Sequence, residues 1–182
     1  MPNFDFTETG LSGLLLIKTS LYGDDRGYFM ETYNQKLFIE AGISINFVQD
    51  NESCSKKGTL RGLHFQKPPF EQDKLVRVIY GEIFDVAVDI RPYSSTYGKW
   101  YGAYLSADNK CQLFIPKGFA HGFLALCGDT KVCYKCSDFY SSHHEGGIIW
   151  NDEQIGIDWP ISDIEKLEIS DKDKNWKGIE NI

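Results

Sequence analysis

Phe84-Asp85-Val86-Ala87-Val88-Asp89-Ile90 alternates without a break. Phe84, Val86, Val88 and Ile90 share one face and Asp85, Ala87 and Asp89 the other, the period-two pattern of a β-strand. Just upstream, Lys74–Tyr80 is rich in β-branched residues and stops at Gly81-Glu82, a turn into the alternating strand. Downstream, residues 113–115 stop at Pro116, and Pro116-Lys117-Gly118 supplies the next turn. Residues 123–126 and 131–136 read as two more strands parted by Gly128-Asp129, and Gly58-Thr59 leads into another over 60–66. Only residues 35–41, ended by Gly42, and a short piece after Pro160 read as helix. Many short strands with regular turns predict an all-β sandwich or barrel of jelly-roll type with a few short helices.

Composition sets the scale. The 182 residues suffice for one domain with a sizeable core, and no linker, low-complexity tract or repeat divides 1–182. A hydrophobic share of 42% with 14% aromatics excludes disorder. No apolar run approaches the roughly 20 residues of a membrane span, and Met1-Pro2-Asn3-Phe4-Asp5 lacks the basic and apolar regions of a secretory signal. A cytoplasmic protein without membrane contact is expected. The net charge of −7 argues against nucleic acid, whose phosphates need a basic surface. It leaves room for an anionic small molecule held by a local cationic cluster. Five cysteines form an odd set, read as free thiols. Cys133-x-x-Cys136 lacks the matching second pair of a zinc knuckle, and on a strand its two thiols point to opposite faces.

Leu60-Arg61-Gly62-Leu63-His64-Phe65-Gln66 sets a histidine and an arginine in an apolar strand. In a regular strand Leu60, Gly62, His64 and Gln66 share one face, so Arg61 points away from His64. The two serve one site only if the strand bulges near Gly62 or the ligand wraps an edge. Taken alone, His64 reads as a hydrogen-bonded core histidine. Lys74, Arg77, Arg26 and Lys172 supply the cations, costly in a β-rich interior unless paired or engaged by a ligand. Asp85 and Asp89 either face the interior, where they orient His64 or neutralise Lys74, or face solvent; alternation leaves both open. Tyr134 shares its face with Val132 and Cys136 and, as a phenol, suits either packing or general-acid work. Ser170-Asp171-Lys172-Asp173 by itself reads as an exposed tail.

Pro116-Lys117-Gly118-Phe119-Ala120-His121-Gly122-Phe123 has the proline, glycine and histidine spacing of the second cupin motif. The first motif would need two histidines and a carboxylate, whereas only His64 stands there, so no metal site is expected.

In order along the chain, several stretches together resemble the dTDP-4-dehydrorhamnose 3,5-epimerase family. They are Asp25-Arg26-Gly27-Tyr28-Phe29-Met30-Glu31, Phe47-Val48-Gln49-Asp50-Asn51, residues 60–66, 74–78, 84–91 and 114–123, Tyr134-Lys135, Ile149-Trp150-Asn151-Asp152, Ile157-Asp158-Trp159-Pro160 and Ser170-Asp171-Lys172-Asp173. The resemblance implies a metal-free, cofactor-free cupin-type double-stranded β-helix, generally a homodimer, acting on a dTDP-linked 4-keto-6-deoxyhexose. It implies that His64 is the base, Asp173 the aspartate that orients it, Tyr134 the acid, and Lys74 the cation near the keto oxygen. Arg26 and Arg61 resemble diphosphate-contacting arginines. Gln49, Asn51, Glu31, Glu145, His121 and Lys172 resemble substrate-lining positions, and Tyr140 an aromatic near the nucleobase. Arg26, Phe29 and Glu31 are expected to act across the dimer interface. Ser142-His143-His144 replaces the more usual proline-containing turn before Glu145. The rival readings are an epimerase acting at C3 or C5 alone or on another nucleotide-linked 4-keto sugar, a non-catalytic carbohydrate-binding barrel, and a metal-dependent cupin.

Overall fold

The computed structural model describes residues 3–182. Its strands are β1 (Phe4–Glu8), β2 (Leu15–Thr19), β3 (Tyr22–Asp24), β4 (Gly27–Phe29), β5 (Gln49–Ser55), β6 (Thr59–Gln66) and β7 (Lys74–Tyr80). They continue with β8 (Glu82–Asp89), β9 (Trp100–Ser106), β10 (Cys111–Ile115), β11 (Phe119–Ala125), β12 (Thr130–Cys136), β13 (Glu145–Gly147) and β14 (Glu168–Ile169). Helix α1 is Gln35–Glu40 and helix α2 is Asp171–Lys174. One sheet runs β1-β2-β10-β7-β12-β5 and the other β13-β6-β11-β8-β9, with β14 added in parallel to β6. Neighbours such as β10 and β7, or β6 and β11, are distant in sequence, the strand exchange of a jelly roll.

The inward rows of both sheets meet in one core, with Val76, Val78, Leu113 and Val132 from the first sheet against Ile83, Ala87, Leu105 and Phe123 from the second. Two outer layers cover the barrel. On the first sheet, α1 lays a fully buried Phe38 against Phe4, Phe6 and Tyr33, contributing about 1.5–3 kcal/mol. Asn34 caps this helix by accepting from the Leu37 N–H, and Gly42, at φ +87°, ends it as its sequence leads one to expect. On the second sheet, the chain after β13 packs Ile148, Ile155, Trp159 and Ile179 over Phe84, Val86 and Val88.

That second cover decides the reading of β8. Its alternation is real, but the apolar row faces the C-terminal wrap, and Asp85, Ala87 and Asp89 point into the barrel. Both aspartates are wholly buried. Asp89 is held by Arg91, Ser94 and Thr96; burial alone would raise its carboxyl, but these donors keep it far below the ordinary range. The helix expected after Pro160 is absent among the described residues there. Ile164 and Leu167 pack on the outer cluster and Glu168–Ile169 pair with β6, which defers helix formation to α2.

Candidate active site

Strand β6 sets the site by departing from regularity. Against β11, His64 faces His121 and Arg61 faces Phe123, so the register shifts between the two pairs. Gly62 occupies the shift at φ +128°, where a Cβ would come within 2.5 Å of Gly122 Cα and 2.9 Å of the His121 carbonyl. The extra residue restores Arg61 to the face of His64, while Leu63 turns into the outer core. Both polar side chains line a cavity of about 480 Å³ together with Lys74, His121, Tyr134 and Asp173.

Asp173 arrives from the far end of the chain. β14 runs alongside β6, Ser170 caps α2 by accepting from the Asp173 N–H at 3.1 Å, and the Asp173 carboxylate reaches the strand. Its Oδ1 lies 2.6 Å from His64 Nε2, and its Oδ2 accepts from the Gly62 N–H at 3.4 Å. Burial alone would raise this carboxyl; the hydrogen bond and charge of His64, helped by Gly62 and Ser170, hold it below its usual value. An ionised carboxylate only accepts, so Nε2 carries a hydrogen, and Nδ1 is the nitrogen whose lone pair the neutral ring offers. The segment that reads as an exposed tail is thus anchored in the site, with Asp173 only 3% exposed.

The other wall belongs to the first sheet. Lys74 on β7 and Tyr134 on β12 project inward from adjacent antiparallel strands, where Tyr134 pairs with Val76 and Cys136 with Lys74. Lys74 makes no hydrogen bond or ion pair among the described residues, and burial pulls its ammonium below the usual lysine range, against the opposing charges of Cys136, Asp85 and Glu145. Tyr134 likewise makes no hydrogen bond among them. Burial, then Cys136, pushes its phenol up, while Arg61 works the other way, so it stays protonated at neutral pH. Beneath them Asp85 bonds His121 Nε2 at 2.7 Å. Asp85 therefore faces the interior but orients His121, not His64. Burial draws the His121 imidazole down, against the pull of Asp85, leaving it neutral.

The same three side chains, His64, Lys74 and Tyr134, wall a second lobe of about 250 Å³ with Gln49, Asn51, Tyr140 and Glu145. Glu145 accepts from Lys172 at 2.7 Å and from the Tyr140 hydroxyl at 3.0 Å. Burial would raise the Glu145 carboxyl, but these donors keep it low, and Glu145 in turn lifts Lys172 above its desolvated value. Arg61 is braced by Ser55 Oγ at 3.2 Å and the Cys54 carbonyl at 3.4 Å.

Three expected site residues lie elsewhere in their own chain. Arg26 pairs with Asp24 at the tip of the β3–β4 hairpin, Phe29 is 67% exposed, and Glu31 bonds Asn3 and Asn34. Sequence reading overlooked Ser53 and Ser170, which also line the main cavity. Ser170 had a signal in the Ser-x-x-Asp spacing of a helix cap, and Ser53 one in the polar alternation Gln49, Asn51, Ser53, Ser55 along β5. Among the described residues no three His, Cys, Asp or Glu side chains gather as metal ligands, and no helix is long and apolar enough to cross a membrane.

The family model for dTDP-4-dehydrorhamnose 3,5-epimerase matches residues 8–181. The chain is 55% identical over 179 residues to the dTDP-4-dehydrorhamnose 3,5-epimerase of Methanothermobacter thermautotrophicus, covering 98% of this chain and 96% of that one. It resembles the crystal structure of the enzyme of that name from Elizabethkingia anophelis at TM-score 0.94 and 43% identity, over 99% and 98% of the two chains. It also resembles the dTDP-6-deoxy-D-glucose-3,5-epimerase of Legionella pneumophila, solved with dTDP-4-keto-L-rhamnose, at TM-score 0.94 and 46% identity, over 98% and 94%.

Proposed function

The chain belongs to the dTDP-4-dehydrorhamnose 3,5-epimerase family, whose structures are cupin-type jelly rolls, and on that premise we propose how its residues invert C3 and C5 of dTDP-4-dehydro-6-deoxy-D-glucose. Both carbons lie next to the C4 ketone, so each hydrogen is acidic through an enolate whose charge rests on the same oxygen. The Nδ1 atom of His64 removes the proton, with Asp173 stabilising the imidazolium that results. The Lys74 ammonium, without a hydrogen-bond or ion-pair partner among the described residues, stabilises the developing oxyanion where desolvation strengthens the interaction. Tyr134 returns a proton to the opposite face of the ring. Each inversion leaves an imidazolium and a phenolate. Exchange with solvent resets both, the proton balance closes, and nothing is oxidised.

Arg61 holds the diphosphate; His121, Gln49, Asn51, Glu145, Lys172 and Tyr140 line the remaining substrate. Arg26, Phe29 and Glu31 complete the site of a second copy in a homodimer, a reading supported by the exposed aromatics Tyr22, Tyr28 and Phe29 on the hairpin that carries Arg26. Residues 1–182 act as one domain. The five cysteines are free, which supports a reducing, cytosolic setting.

A single observation carries the assignment: His64 and Tyr134 rise from opposite sheets into one cavity, with Lys74 beside them. A reaction that takes a proton from one face and delivers it to the other needs that arrangement. Proton NMR of dTDP-4-keto-6-deoxyglucose with the protein in deuterium oxide tests it. Label entering both C3 and C5 is the expected result. Label at one carbon only identifies a mono-epimerase, and no label rejects the reading.

A further inference from the structure

Strand β13 ends in Gly146-Gly147, and neither position has room for a side chain. Gly146 pairs with Phe65 and lies under its ring. Gly147 pairs with His64. Directly opposed residues of an antiparallel pair send their side chains to the same face, about 5 Å apart. A side chain at 147 would therefore rise beside His64. Trp176 takes that place instead. A Cβ on Gly147 would fall 2.5 Å from Cδ2 of the indole, and nearer still to Cε2 and Nε1, so the ring lies directly on bare backbone. Its Nε1 is sealed from solvent and has no hydrogen-bond partner among the described residues. Shape therefore seats the ring, although an unpaired buried donor costs free energy.

The indole is the far anchor of the segment that carries Asp173. Before Asp173, Glu168–Ile169 pair with β6 and Ser170 caps α2. Beyond Trp176, the Ile149 N–H donates to the Lys177 carbonyl at 3.0 Å. Between these ties α2 has only four residues, too short a helix to hold itself in place. The segment's two side-chain contacts land on paired positions of the β6–β13 ladder, Asp173 on His64 and Trp176 on Gly147. We propose that Trp176 is a positioning residue: its indole, seated on Gly147, sets where α2 delivers the Asp173 carboxylate to His64. This rests on the functional reading above, in which His64 is the base. Trp176 lines neither lobe of the cavity, so its effect passes through Asp173 and not through contact with substrate.

Trp176→Ala and Asp173→Asn, singly and together, test it. Loss of the ring should lower kcat about 10²-fold, the scale of a small misplacement of a catalytic group, and leave KM within about twofold. In the Asp173→Asn background the same substitution should change kcat by no more than about twofold, because the contact it serves is already gone. Trp176→Phe should keep most of the rate, since no hydrogen bond is lost, and Gly147→Ala, which displaces the indole, should repeat the alanine loss. The proton on His64 Nε2 supplies a readout that needs no substrate. Its low-field NMR signal, assigned by its absence in His64→Asn, should weaken in Trp176→Ala through faster exchange with water. A wild-type kcat in Trp176→Ala, losses that multiply in the double variant, a loss in KM alone, or an unaltered proton signal would each overturn the proposal. If the alanine variant does not fold, Trp176→Leu is held to the same outcomes. Failure of both to fold makes the indole a support of the whole fold and overturns the proposal too. Wild-type protein that shows the proton signal but exchanges no deuterium would instead remove the functional reading, and Trp176's part in catalysis with it.

Discussion

His64 Nε2 and Asp173 Oδ1 stand 2.6 Å apart although 109 residues separate them in sequence. The contact ties the bulged strand β6 to α2 near the end of the chain, and it fixes which imidazole nitrogen faces the cavity. Under the proposed mechanism, catalysis and the docking of the C-terminal segment therefore meet in one hydrogen bond.

Asp173→Asn separates the two roles. The amide preserves volume but frees the imidazole tautomer and leaves the imidazolium uncompensated, so kcat should fall about 10²–10⁴-fold. The acid limb of stability should change too. A carboxyl held below its unfolded value near 3.9 contributes stability above that pH and loses it as pH falls through the lower folded value. Melts from pH 5 down to about pH 2, a range that spans both values, should show a shallower acid decline in the variant. An unaltered pH profile with unaltered kcat would dismiss the pair as incidental.

His64→Asn and Tyr134→Phe should fail at different steps. Without the base, deuterium wash-in at C3 and C5 disappears. Without the acid, exchange continues in part, because His64 still removes and returns a proton on its own face, while inverted product drops sharply. Tyr134→Phe turning over at the wild-type rate would send the search for the acid elsewhere.

Lys74 should limit activity on the basic side. Burial moves its ammonium down and the Tyr134 phenol up, so lysine is the first of the two to lose a proton it needs. The rate should decline as pH rises through a value below the ordinary lysine pKa of about 10.4. Lys74→Met should cost about 10²–10³-fold in kcat at neutral pH. Lys74→Arg, permanently charged, should retain part of the rate and shift the limb upward. A basic limb that stays in place in the arginine variant would assign it to another group.

Much of this was legible in the residues, and the misses have physical causes. Lys74–Tyr80 reads as a strand and is one at the same bounds, because β-branched residues between turn signals leave little alternative. The faces of β8 did not follow from alternation, since a strand covered on both sides gives no solvent reference. Which side meets the cavity depends on the C-terminal wrap from distant sequence. The conflict between Arg61 and His64 was visible, as was the bulge that resolves it, but only coordinates locate that bulge at Gly62. Asp173 carried no local sign of burial, because its partner is supplied by tertiary packing.

Gly62→Ala follows from that resolution. A methyl group there meets Gly122 Cα at 2.5 Å, and φ +128° is unfavourable for any L side chain. Destabilisation of about 2–4 kcal/mol is expected from strain and the forced separation of β6 from β11. Activity should fall further than stability accounts for, since Arg61 and His64 lose their common face. Chemical denaturation with parallel exchange measurements checks both; a variant as stable and active as wild type would show that the bulge does not need glycine.

The hairpin bearing Arg26 leads to the last test. Arg26, Phe29 and Glu31 sit outside the cavity of their own chain, so under the proposed sharing each site combines His64 of one copy with Arg26 of the other. His64→Ala and Arg26→Ala homodimers should both be nearly inactive. In a mixed dimer, the copy that retains His64 faces the copy that retains Arg26, and one of its two sites is intact. Random reassociation puts half of the chains in mixed dimers, so about a quarter of wild-type activity should return after the two variants are unfolded and refolded together. If Arg26 served the site of its own chain, every site in the mixture would lack one of the two residues. No activity above the sum of the separate variants would then appear, and the sharing would be refuted.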